Sequence, residues 1–119
     1  MMLKKNYQFK RVLSKGKYFS GKNIEVFILD NNKKINLLGL AISVKVGKAV
    51  RRNHIKRLIR ENYYRVEDFI KTGKSIVFLW NKKADVKDAN FYSIKEDMEN
   101  IFNKADMFEI GNIYEKSVN

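Results

Sequence analysis

The stretch GKAVRRNHIKRLIRENY, residues 47 to 63, places six lysines and arginines in seventeen positions, with Arg52, Lys56 and Arg60 following one another at four-residue steps. An ordinary solvated helix mixes charge signs at that spacing, because opposite charges one turn apart support each other. Here Lys56 lies between two arginines, and Glu61 is the only acid from Lys45 to Arg65. Like charges so placed cost a few tenths of a kcal/mol per pair, so a whole face of them implies an anion that relieves the repulsion. A run of charge is more often simply a helix's solvated side. The same-sign spacing weighs against that, as does the preference for arginine, whose planar fork meets two phosphate oxygens at once.

Chemistry carried by the chain itself is absent from the pattern. There is no cysteine and one histidine, His54, which excludes thiolate zinc sites, disulfides and any two-histidine acid/base pair. No phosphate-binding glycine loop and no nucleophile–histidine set occurs. Asp85, Asp88, Glu96, Asp97 and Glu99 interleave with lysines and read as solvated surface pairs. No catalytic residue and no metal site is expected in the protein.

The whole composition agrees with a polyanionic partner. Lys and Arg number 25 against 13 acids, giving a net charge of +12 and a pI near 9.9 in 119 residues. A small domain with that imbalance repels itself unless a partner neutralises it. Nucleic acid is the first candidate and an anionic membrane surface the second, but the lone Trp80 falls in a strand-like run rather than on a basic amphipathic helix. No eighteen apolar residues run together. The absence of proline, of Gly/Ser linkers and of repeats predicts one domain over residues 1–119, nucleic-acid-binding by its charge, with a few flexible residues at each end. A soluble, cytoplasmic protein without an obligatory protein partner is expected.

The elements that must carry the basic stretch follow from periodicity. A helix is predicted from about Asn6 to Lys15, with Asn6 as its cap, Phe9, Val12 and Leu13 at helical spacing and Gly16 as its stop. Asn23 to Leu29 reads as a strand ending in the turn DNNKK, and Leu37 to Val44 as a second, buried on both faces. The two are expected to form a hairpin across residues 30–36, with Tyr18 and Phe19 adding another short strand. The basic helix runs from about Lys48 to Phe69, a strand from Ser75 to Trp80, and a last helix from about Asn90 to Lys104. This order, α-β-β(β)-α-β-α, predicts a two-layer α/β sandwich: a small mixed sheet of about four strands with three helices.

At about 100° per residue, Ile55, Leu58, Ile59, Asn62 and Val66 share the side of the basic helix that must face the sheet. Asn53, Lys56, Arg57, Arg60 and Tyr64 fall opposite. The pattern Ala49-x-x-Arg52-Asn53-x-Ile55-Lys56-Arg57-x-x-Arg60, preceded by Gly39-Leu40-Ala41-Ile42-Ser43-Val44-Lys45-Val46-Gly47, resembles the RNR signature of the protein subunit of bacterial ribonuclease P. Phe9-Lys10-Arg11-Val12-Leu13 and Gly16 extend the likeness.

The resemblance implies a left-handed β-α-β crossover through the basic helix, contrary to the general right-handed rule. It also implies a role beside a catalytic RNA that removes the 5′ leader of precursor tRNA, with Mg²⁺ held mainly by that RNA. Carried over position by position, it assigns Arg52, Asn53, Lys56, Arg57 and Arg60 to the ribonuclease P RNA. Phe9, Leu13, Phe27, Ser43 and Lys45 are assigned to the cleft that receives the leader. His54 stands where the family usually has arginine, and Leu13 where it often has a second aromatic. Without the resemblance, Phe9 and Phe27 would be read as core. Two rival classes share the basic helix: a structural RNA-binding protein such as a ribosomal component, which needs no single-strand cleft, and a module that lays the helix in the DNA major groove.

Overall fold

A computed structural model describes residues 2–109. The elements run α1 (Asn6–Lys15), β1 (Lys17–Ser20), β2 (Ile24–Asp30), β3 (Leu37–Leu40), α2 (Ala49–Val66), β4 (Lys74–Trp80) and α3 (Phe91–Lys104). The expected flexible ends fall at Met1 and beyond Glu109, outside the described residues apart from their innermost few.

The four strands form one mixed sheet in the order β1-β2-β4-β3, in which β2 is antiparallel to β1 and β4 while β3 is parallel to β4. The α/β architecture with three helices and four strands is as expected. The hairpin between β2 and β3 is not formed, because β4 lies between them. Its run SIVFLW is almost wholly apolar, and Ile76, Val77 and Phe78 are fully buried, as suits a central strand covered on both faces. The turn after β2 crosses the end of β4 instead of reversing beside it. Asn31 N–H donates to the Gly73 carbonyl (2.9 Å), and buried Asn36 donates to the Lys71 carbonyl (2.9 Å) and accepts from Lys74 N–H (2.9 Å). As an edge strand β3 ends at Leu40, short of the expected Val44, and residues 2 and 3 cover it through Leu3 N–H to the Leu38 carbonyl (2.6 Å).

Alternation sorts the sheet into two faces. Ile24, Val26, Leu38, Ile76 and Phe78 pack under α2 and α3, while Val77 on the other face packs with Leu3 and Val12. The two-layer expectation therefore describes α2 and α3 on the sheet; α1 lies across the opposite face and leaves part of it open. The predicted sheet-facing stripe of α2 is buried throughout, joined by Tyr63. Asn62 belongs there because its amide donates to the Leu58 carbonyl (3.1 Å) and the Phe91 carbonyl (3.2 Å), tying α2 to the start of α3.

Two local expectations are corrected. Asn6 is the first residue of α1, not its cap. The free N–H groups of Lys4 and Lys5 are instead accepted by the Gln8 side chain at 3.0 and 3.1 Å, a reach back from the third helical position. Asp97 is no solvated acid: it is 4% exposed. Its carboxylate accepts N–H bonds from Lys22 (3.1 Å), Asn23 (2.6 Å) and Ile24 (3.0 Å). Gly21 makes room for it, since a Cβ there would stand 2.6 Å from Asp97 Cγ. The clamp fixes the turn from which β2 starts.

Candidate nucleic-acid interface

The basic helix presents the face that its angles define. Asn53, Arg57 and Tyr64 are exposed and Lys56 and Arg60 half-buried, as suits long side chains whose apolar stems can cover the fold while a charge stays in water. Arg52 is anchored: its Nη1 donates to the Gly47 carbonyl at 2.7 Å, fastening the helix's first turn to the loop before it. Arg57 pairs with Glu61 at 3.0 Å, a bond between exposed side chains that competes weakly with a phosphate. His54, one position round from Asn53, is exposed and lines a shallow hollow of about 290 Å³ with Val50, Arg51, Ile55, Val86 and Ala89. It stands beside the five-residue face rather than in its middle.

On the other face of the sheet the five cleft residues fall into two adjoining groups. Phe9 and Leu13 of α1 and Phe27 of β2 are half-buried in one apolar cluster with Ala41 and Leu79. Phe9 lies so close to β3 that a Cβ on Gly39 would meet its Cε1 at 2.5 Å. Phe27 stacks obliquely against Tyr18 of β1, with centroids 5.1 Å apart at 49°. Ser43 and Lys45 line a cavity of about 510 Å³ with Glu25, Ala41, Leu79 and Lys82. Ala41 and Leu79 belong to both groups, so the cavity adjoins the aromatic cluster on that face. The Ser43 hydroxyl accepts from Lys45 N–H (3.2 Å), capping the turn at residues 44–46.

Several of these residues escaped the sequence reading. Glu25 was within reach, because strand alternation puts it on the same face as Phe27. Lys82 carries no local signal. It meets Lys45 only because β3 and β4 run parallel, so that the chain leaves both strands at the same end of the sheet.

Half-exposed rings beside a cavity lined by Lys45 and Lys82 suit a single strand, whose unstacked bases can lie on the rings while cations follow the phosphates. Residues 1–106 match the family model described as Ribonuclease P. The chain belongs to the ribonuclease P protein family. The ribonuclease P protein component of Clostridioides difficile (strain 630) is 37% identical over 106 residues, covering 88% of this chain and 91% of that one. The component from Caldanaerobacter subterraneus subsp. tengcongensis is 34% identical over 107 residues, covering 90% of each. Among solved structures, the Staphylococcus aureus RNase P protein superposes with a TM-score of 0.79 at 31% identity, over 91% of this chain and 97% of that one. That from Thermotoga maritima does so at 0.78 and 27%, over 87% and 96%. The ribonuclease P fold thus accounts for the mixed sheet and three helices. Among the described residues no helix is long and apolar enough to cross a membrane.

Proposed function

We propose that this chain, as a subunit of the tRNA-processing endoribonuclease ribonuclease P, docks on the ribonuclease P RNA through Arg52, Asn53, Lys56, Arg57 and Arg60. In the same reading it holds the 5′ leader of precursor tRNA in the groove of Phe9, Leu13, Phe27, Ser43 and Lys45. The observation that carries the reading is the pairing of two RNA-compatible surfaces on opposite sides of one sheet: an arginine-rich helix face and a groove with half-exposed aromatics. A structural RNA-binding protein would need only the first. A major-groove DNA reader is disfavoured because α2 lies along the sheet from Ile55 to Val66 instead of projecting its end.

Among the described residues no three His, Asp or Glu side chains gather to hold a cation. The reading leaves the metal and the cleavage step to the RNA, and the protein supplies binding and orientation. It includes a cytoplasmic location, which the cysteine-free composition suits.

Two measurements test it. Adding the protein to its cognate ribonuclease P RNA is expected to raise cleavage of precursor tRNA at low Mg²⁺; a rate unchanged by the protein would overturn the assignment. Replacing Phe27 with Ala removes one stacking ring, which is worth about 1–3 kcal/mol per base. Affinity for precursor tRNA should therefore fall roughly 5- to 150-fold while affinity for mature tRNA holds. Equal losses for both would reduce Phe27 to a packing residue.

A further inference from the structure

Glu25 is out of keeping with a groove that receives a polyanion. It sits two residues before Phe27 on the same face of β2, about 6.6 Å along the strand. It lines the cavity that Lys45 and Lys82 also line. A carboxylate repels phosphate and can only accept hydrogen bonds. Among the described residues no lysine or arginine is within ion-pair distance of it. Its Oε2 accepts the hydroxyl of Tyr18, whose ring leans on Phe27, so the carboxylate is held beside the two rings on which a base would stack. The other acid of the cavity, Asp85, is engaged, its Oδ1 accepting Lys87 N–H at 2.9 Å. Phosphates therefore belong toward Lys45 and Lys82, and base edges toward Glu25.

We propose that Glu25 reads a leader base, accepting a hydrogen bond from the exocyclic amino group of adenine, cytosine or guanine and disfavouring uracil. Uracil presents carbonyl oxygens where the other bases carry those amino groups, and these flank its single N3–H donor, so a carboxylate oxygen placed opposite either one meets an acceptor and is repelled. Tyr18 is the positioning residue: its hydroxyl occupies Oε2 and leaves Oε1 to the base. The inference rests on the leader-groove reading above.

The test uses the holoenzyme reconstituted with wild-type, Glu25→Gln or Glu25→Ala protein. Its substrates are precursor tRNAs whose leaders differ by a single change between cytidine and uridine, at each position near the cleavage site in turn. In the wild type, one position should bind cytidine roughly fivefold or more tighter than uridine, as expected for a charge-assisted bond to a base edge. The Gln variant can both donate and accept, so its preference there should shrink to within about twofold. Absence of a uridine penalty at every position in the wild type would overturn the proposal, as would a penalty that persists unchanged in Glu25→Gln. The near-isosteric Gln decides the matter if the Ala variant folds poorly. Phe27→Ala separates the two levels of the reading. If it weakens precursor binding while both Glu25 variants keep the penalty, only the Glu25 assignment falls; if it changes nothing, the leader groove itself is wrong.

Discussion

Replacing Asp97 with Ala is expected to remove about 3–5 kcal/mol of folding stability, the range seen when a buried charged hydrogen-bonding partner is lost. The carboxylate is the acceptor for Lys22, Asn23 and Ile24 N–H groups in a turn that also packs Gly21 against it. Truncation would strand those donors where water reaches poorly, each at about 1–3 kcal/mol, offset in part by relaxation. In a domain whose whole stability is about 5–15 kcal/mol, that is a large share. Asp97→Asn keeps one acceptor oxygen but turns an amide N–H₂ toward a backbone donor, so it should lose an intermediate amount. Chemical denaturation of the three proteins gives the ranking directly. If the Ala variant were as stable as the parent, the clamp would carry no energetic weight. Because the turn leads directly into Glu25 and Phe27, the loss should also loosen the groove on the far face.

The second large effect concerns the outer face of α2. Changing Arg57 and Arg60 together to Ala should lower affinity for the ribonuclease P RNA about a hundredfold, at about 1.5 kcal/mol or more for each charge-assisted contact. The salt dependence gives a sharper reading than the affinity. Each lost phosphate contact should flatten the plot of log K against log salt by about 0.7–0.9, so the double variant should lose roughly 1.4–1.8 from the slope. The fold should hardly notice, since the Arg57–Glu61 pair is solvent-exposed and such pairs contribute a few tenths of a kcal/mol. A double variant with the parent's slope would show that this face is merely solvated.

The contrast between these two sites explains what was legible in the sequence. The α2 face depends on residues within five turns of one another, and its two stripes follow from the helical angle alone. The alternation of β2 was equally local, and with it the shared side of Glu25 and Phe27. Asp97 looks like any other acid of an amphipathic helix until the fold brings the turn at residues 21–24 against it, more than seventy residues away. The hairpin failed for the same reason. The turn signal after β2 is real, but β4, later in the chain, pairs with β2 along its whole length from Ile24 to Asp30, and no local signal announces a partner so far away. Gln8 displaced Asn6 as the cap of α1 because a side chain reaching back from inside the helix serves two N–H groups at once, which propensity at a single position does not register.

The strand order has a consequence for how the protein comes into being. With β4 between β2 and β3, the sheet cannot close while the chain is still being made up to residue 73: β1 and β2 would form an isolated two-stranded ribbon, which is marginal alone, and β3 would have no neighbour but residues 2 and 3. Synthesis must pass Trp80 before α2 has a complete floor to rest on, and reach α3 before Asp97 can hold the first turn. Such long-range pairing makes folding slow and cooperative. A prematurely terminated chain would carry most of the positive charge of α2 with nothing to shape it, so the two RNA surfaces come into existence together and only in a nearly finished molecule.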